Sequence, residues 1–346
     1  MPHQDSAATA SAGPAPRSSK RKWIDERIER LDPETDYVEI VRLSTLYRIN
    51  EMQMHWFYTV GTAASATSPQ VLAAVYRGGT GTYVAQPARR RDDSNDHMTL
   101  WFEHGPESAV TRRSVEMVNK YHAHFAREYP DSFSDVDDYL YVLCVNAVLV
   151  HRVMQSLGMP GFSARQQVAV HQFWSRLADL FTRGDDGHPV TDERPFPRDF
   201  DDMLAFVEQY EARPWPVNSE GHRSSTVVTD EFAKRWFPAP LHFFGRALVT
   251  SFLTPAVLRV HAITPPPRPL AWLARTVMKT LMRVSTHLLP DPQESFLDRG
   301  RRLAASGRGR TSGVDVAVHR AAAPQRGKAD GAAPASSGCP HLLVSR

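Results

Sequence analysis

The chain has 346 residues and an ordinary apolar content of 42%, enough to bury a large core. Its net charge of +3 belongs to the ends: residues 299–346 hold nine Lys/Arg against two Asp, residues 1–22 hold four against one, and residues 23–298 are left at about −7. An acidic body argues against a nucleic-acid-binding core, and two cysteines, Cys144 and Cys339, argue against a disulfide framework.

Residues 1–22 are rich in Ala, Ser and Pro and are expected to be disordered. They contain no apolar core of the kind a secretory signal needs, so a cytoplasmic protein is the expectation. Trp23–Leu31 reads as a short amphipathic helix. Asp32 and Pro33 then read as the cap and first position of a helix over Glu34–Leu46. A longer, more apolar helix follows around Tyr47–Ala64 and contains His55. Ser68-Pro69 restarts the chain, and Gln70–Tyr76 runs into the loop RGGTGTY, Arg77–Tyr83. No Lys-Ser or Lys-Thr follows these glycines and no strand precedes them, so this is a helix break and not a phosphate-binding loop. Arg89–Arg91, followed by Asp92 and Asp93, reads as a solvated loop in preference to an internal ion-pair cluster.

Val115, Val118, His122 and Phe125 then fall three, four and three residues apart, one face of a helix. Ser108 is its first N-cap candidate, with Thr111 and Ser114 as later ones. His122 therefore points inward, and His124, about 200° round the helix, points out. A buried imidazole needs a partner for each ring nitrogen. Taken alone, this stretch supports a hydrogen-bonded core histidine ahead of a metal ligand.

Asp138–Leu157 is apolar almost all round and is expected in the middle of the fold. Its apolar run, Tyr139–Val150, is too short to cross a bilayer as a helix. Ser163 caps Ala164–Arg183, and Asp199–Arg213 follows. Shorter pieces over Thr229–Trp236, Leu241–Leu253 and Ala256–Ala262 are separated by prolines. Leu270–Leu289 is amphipathic, with Arg275, Lys279 and Arg283 four residues apart. Its apolar face is expected to pack on the domain, with peripheral contact to an anionic membrane as the less favoured alternative. From Arg299 the Gly/Ala/Arg-rich chain is expected to be disordered. The expectation is one all-α domain over 23–298 between tails at 1–22 and 299–346.

The chain contains no CxxC, HExxH or GxSxG, so a structural zinc site, a zincin and an α/β-hydrolase have no support. A Rossmann fingerprint and the repeated Glu-x-x-His of a di-iron bundle are also missing. What remains is a mostly apolar helical body with inward-facing His55, His122, His151 and His171. Haem suits such a body, because it needs one neutral imidazole on a rigid helix, apolar walls and a few polar groups.

The run TGTYVAQPARRRDDSNDHMTLWFEHGPES, followed by VNKYHAHF and DVDDYLYVL, resembles the family of MpaB-type oxygenases and latex-clearing rubber oxygenases. Phe173-Trp174, Tyr210-Glu211 and Arg235–Pro238 continue the same ordered set, so the similarity covers nearly the whole expected domain. The resemblance implies an all-helical fold around one haem b. Its proximal iron ligand would be His122, the last position of Asn119-x-x-His122. It implies O2-dependent cleavage of carbon–carbon double bonds in an apolar, isoprenoid-like substrate. Arg77 with Thr80 or Thr82 would polarise oxygen on the far side of the iron. Thr82 stands where an acidic residue often follows the TG in the MpaB-like group. Arg91 and Asp92 would bind the propionates or hold the loop. Two alternatives stand beside this reading: a haem-binding protein without oxygenase turnover, and a haem-free helical interaction protein.

Overall fold

Several helices start on side chains that satisfy the first free backbone N–H groups. Asn50 Oδ1 accepts from the Gln53 N–H at 2.9 Å while Gln53 Oε1 accepts from the Asn50 N–H at 3.0 Å. Ser163 and Gln166 form the same reciprocal pair, and Ser108 accepts from the Thr111 N–H at 3.1 Å as expected. In the computed structural model, residues 21–129, 131–309 and 312 are described. They form α1 (Trp23–Ile28), α2 (Tyr37–Thr45), α3 (Glu51–Ser65), α4 (Pro69–Tyr76), α5 (Thr82–Ala85), α6 (Pro87–His104), α7 (Ala109–Glu128) and α8 (Val136–Ser156). Then come α9 (Ala164–Ala178), α10 (Val190–Glu193), α11 (Phe200–Glu211), α12 (Ser219–Trp236), α13 (His242–Thr250), α14 (Pro255–Val260), α15 (Arg268–Arg283) and α16 (Phe296–Ala305).

The expected all-α architecture is what forms: among the described residues there is no β-strand. Helix α8 buries residues on every side, from Tyr139 and Leu140 to His151 and Val153, and α3, α9 and α11 pack around it. The centre is aromatic. Trp56, Tyr141, Phe173, Phe232 and Tyr210 are almost fully buried, and Tyr141 and Tyr210 stack with ring centroids 3.9 Å apart. The Trp56 indole donates to Leu248 O at 3.0 Å, tying α3 to α13.

Three expectations are corrected. The second helix begins at Tyr37, not Glu34, because Asp32 and Asp36 close a turn of their own through Glu34 N–H→Asp32 Oδ1 and Asp32 N–H→Asp36 Oδ2. The segment read as a solvated loop at Arg89–Arg91 lies inside the 18-residue helix α6. The boundary drawn at 299 falls inside α16, whose Arg301 pairs with Glu103 at 3.1 Å. The rest of the expected tails, residues 1–20, 310–311 and 313–346 with Cys339, lies outside the described residues.

A haem pocket is not shown. A cavity of about 150 Å³ lies between Val60, Leu149, Arg152, Glu211 and Phe252, and a shallow depression runs along Pro255–Pro265; neither is lined by His122. Among the described residues no helix is long and apolar enough to cross a membrane.

Candidate functional site

Helices α6 and α7 pack against each other, joined by a short turn at Gly105. Gly105 has φ +74°, and a Cβ there would stand 2.6 Å from a Val38 methyl. On α6, Arg90 and His97 are seven residues apart and so share a face. On α7, Ser114 and Tyr121 share one in the same way. His97 Nδ1 meets Ser114 Oγ at 2.7 Å, and Ser114 also accepts from the Trp101 indole at 2.9 Å. The Arg90 guanidinium lies 4.9 Å from the Tyr83 ring centroid and 6.0 Å from that of Tyr121.

His122 stands next to Tyr121 on α7. Its ring stacks on Phe133, with centroids 4.4 Å apart and planes 14° apart, and meets the edge of Tyr139 at 5.6 Å. Burial first, and the nearby Arg90 charge second, push its pKa down to about 3. The same two causes bring His97 to about 4. Both imidazoles are therefore neutral at physiological pH, the form that ligates a metal. His122 Nδ1 and Arg90 Nε are buried without a hydrogen-bond partner, and Tyr58, within reach of Thr62, is close enough to Arg90 to feel its charge. Leaving such groups unpaired costs roughly 1–3 kcal/mol each, so the two together point to a polar guest at this place.

The wall behind His122 is held firmly. Phe133 has φ +60°, a conformation a bulky residue adopts only when its surroundings impose it. Its carbonyl accepts from the Gly184 N–H at 2.8 Å and from the Tyr139 hydroxyl at 3.1 Å. A Cβ on Gly184 would come within 3.0 Å of His122 O and 2.8 Å of Phe133 Cβ, so only glycine lets this loop close on α7. Asn119 anchors the same loop, donating to Leu180 O at 2.9 Å and accepting from the Thr182 N–H at 3.3 Å. The asparagine of the Asn-x-x-His motif thus fixes the backbone beside the histidine.

The other residues singled out from the sequence separate into groups. Arg77 ends α4 in the left-handed region, φ +49°. Its guanidinium lies 4.2 Å from the Phe125 ring centroid, one helical turn from His122, and its Nε is buried without a partner. Thr80 is exposed, and its hydroxyl donates to Arg77 O at 2.8 Å. Thr82 is half-buried at the start of α5. Gly81 permits the reversal between them, since a Cβ there would lie 1.9 Å from Val75 O. His124 points outward toward Glu128, 3.5 Å away.

Arg91 is buried and donates to Asp92 at 2.8 Å and to Glu231 at 2.5 Å. Glu231 in turn meets His55 Nε2 at 2.6 Å, and His55 Nδ1 accepts from the Trp236 indole at 2.8 Å. Arg91, with Asp92 beside it, therefore ties α6 to α12 and, through Glu231, to His55 of α3. His151 Nδ1 accepts from the Phe162 N–H at 3.0 Å, and His171 Nε2 donates to Pro197 O at 2.8 Å; both are partnered histidines of the body. Arg90, His97 and Tyr58 were not singled out from the sequence. Only the seven-residue spacing of Arg90 and His97 could have marked two of them.

Among the described residues no group of three or more His, Cys, Asp or Glu could hold a metal ion. An iron here would need a macrocycle to supply most of its ligands, with one imidazole from the protein. The donor set around His122 fits that division.

Residues 48–308 match the family described as the ER-bound oxygenase mpaB/B'/rubber oxygenase catalytic domain. The chain belongs to this family. The match begins just before α3 and ends beyond α16, so it takes in α6, α7 and every residue of the His122 site. None of the curated proteins matches the chain. The mpaB/rubber oxygenase membership makes this an oxygenase-type domain and agrees with the all-helical fold.

Proposed function

We propose that the chain is a haem b-dependent oxygenase that uses O2 to cleave carbon–carbon double bonds in an apolar, isoprenoid-like substrate. The observation that carries the reading is His122, a neutral imidazole with an unpartnered nitrogen, standing in a family of oxygenase domains. Haem b, when bound, supplies the one-electron and O2 chemistry that no protein side chain provides.

The chain's own residues do the rest. His122 would hold the iron, with its ring direction set by Phe133 and Tyr139 and its backbone fixed through Asn119 and Gly184. Arg90 and Arg77 are the cations with unpartnered nitrogens facing α7, so they are the groups available to propionates or to oxygen. Arg91 and Asp92, already paired, would support α6 from behind. Thr82, half-buried at the start of α5 two residues beyond the Arg77–Thr80 turn, would be the threonine available to the site; the exposed Thr80 hydroxyl is tied to its own turn. Apolar side chains of α3 and α8 would keep water from a prenyl chain.

The test is oxygen uptake by haem-loaded protein given a dispersed oligo-isoprenoid. Uptake that depends on substrate, with carbonyl products, is the expected result. Haem binding without uptake would leave a haem-binding protein and no oxygenase. One observation favours the haem-free reading, namely that the Phe133 stack alone makes His122 an ordinary packed aromatic neighbour; a colourless protein after haem is supplied would select it.

A further inference from the structure

The longest stretch of the described chain without a carboxylate runs from 232 to 290. It holds eight Lys/Arg and no Asp or Glu, in a body that is otherwise strongly acidic. Its outermost element is α15. Only Ala274, Met278 and Met282 of this helix are buried, a narrower contact than its apolar content suggests. Arg275 turns toward the body, donating to Ser251 O at 3.0 Å and lying 5.1 Å from the Phe252 ring centroid. The same stripe continues through Arg268, Trp272, Lys279 and Arg283, spaced four, seven and four, with Trp272 and Arg283 turned farthest from the buried Met278. Trp272 is 67% exposed. Leu273 is exposed on the adjoining face, Leu281 is exposed half a turn away from Trp272, and Leu288 and Leu289 are exposed just past the helix end. Arg268, Lys279 and Arg283 have no carboxylate partner among the described residues.

We infer that α15 and the turn after it rest on an anionic membrane surface, with the three cations over lipid phosphates and Trp272, Leu288 and Leu289 at the headgroup boundary. Tryptophan and leucine beside Lys/Arg is the composition of an interfacial helix, and the segregation of positive charge onto this face gives it an anionic partner. A second copy of the chain fits less well, because a two-fold contact would set the cationic stripe against itself. The inference is independent of haem.

The test is co-sedimentation of the full chain with vesicles of phosphatidylcholine alone and with phosphatidylglycerol added, at low and high salt. Wild type is expected to sediment with the anionic vesicles only, and less so in salt. Lys279→Glu with Arg283→Glu should weaken binding by at least about tenfold. Trp272→Ala should remove the blue shift of tryptophan emission that the vesicles produce. Trp272 and Arg283 are exposed and Lys279 is half-buried with no carboxylate partner among the described residues, so circular dichroism of the variants should match wild type. Three results would overturn the inference: no binding to either vesicle, equal binding by variants and wild type (which would assign it to the basic C-terminal residues), or a dimer that Trp272→Ala dissociates.

Discussion

The imidazole of His122 lies flat on the ring of Phe133, centroids 4.4 Å apart, and Phe133 holds that place from a left-handed backbone conformation. Hydrogen bonds from Gly184 and Tyr139 to the Phe133 carbonyl keep it there. Phe133→Ala removes the stack and should cost about 2 kcal/mol, a fall in melting temperature of roughly 3–4 °C. Gly184→Ala should be at least as damaging, since its methyl would meet both Phe133 and the His122 carbonyl. Thermal unfolding of the two variants beside wild type checks both.

His122 and His97 are held neutral by burial, with pKa values pushed down to about 3 and about 4 from an ordinary 6.5. Between those values and 6.5 the unfolded chain binds more protons than the folded one, so stability rises with pH through that window. Their contribution is complete above about pH 6.5 and is lost as pH falls toward 4 and then 3. Each imidazole should cost roughly 1–2 kcal/mol of stability by pH 5. Urea unfolding at pH 7.5 and pH 5 is the measurement, and His97→Gln should flatten the difference. An unchanged difference would mean that His97 is not buried neutral.

Arg91 is the buried member of a chain that runs through Glu231 to His55 and Trp236. Arg91→Ala leaves the Glu231 carboxylate without its guanidinium and should cost about 3 kcal/mol. The neighbouring Arg89 is exposed, and Arg89→Ala should stay within about 0.5 kcal/mol of wild type. Chemical denaturation of the pair of variants separates a buried network from a solvated run of charges.

Truncation distinguishes α16 from the residues C-terminal to it. Ending the chain after 309 should leave the melting temperature unchanged, because residues 310–346 have no regular apolar spacing. Ending it after 298 cuts α16 and removes the Arg301–Glu103 and Arg302–Glu294 pairs, and should lower the melting temperature by a few degrees.

The contrast between α7 and α6 shows what the sequence made legible. In α7 the face bearing Val115, Val118, His122 and Phe125 turns toward apolar neighbours, so a simple 3.6-residue pattern located the helix, its Ser108 cap and the direction of His122. Helix α6 buries Arg91 and Asp96 and sets Arg90 and His97 toward the site. Its inward side is polar, no apolar stripe marks it before Thr99–Phe102, and charge alone read as solvent exposure. Arg90 was hidden for the same reason: its neighbours Tyr58, Tyr83 and Tyr121 come from three other elements. The boundary at 299 cut across α16, whose apolar face (Phe296, Leu297, Leu303 and Ala304) straddles it and which is held by ion pairs, by Leu297 on the core and by a backbone bond from Phe296 to Leu46.

The central claim is that His122 is the protein's one ligand to haem iron. Haem content and the Soret band of wild type, His122→Ala and His124→Ala, each purified with haem supplied, test it most directly. Wild type and His124→Ala should carry one haem b with the same spectrum, since His124 points away toward Glu128. His122→Ala should lose most of its haem, keeping only the weaker contacts of the macrocycle and its propionates. A His122→Ala protein with a full complement of haem and an unchanged Soret band would contradict the account.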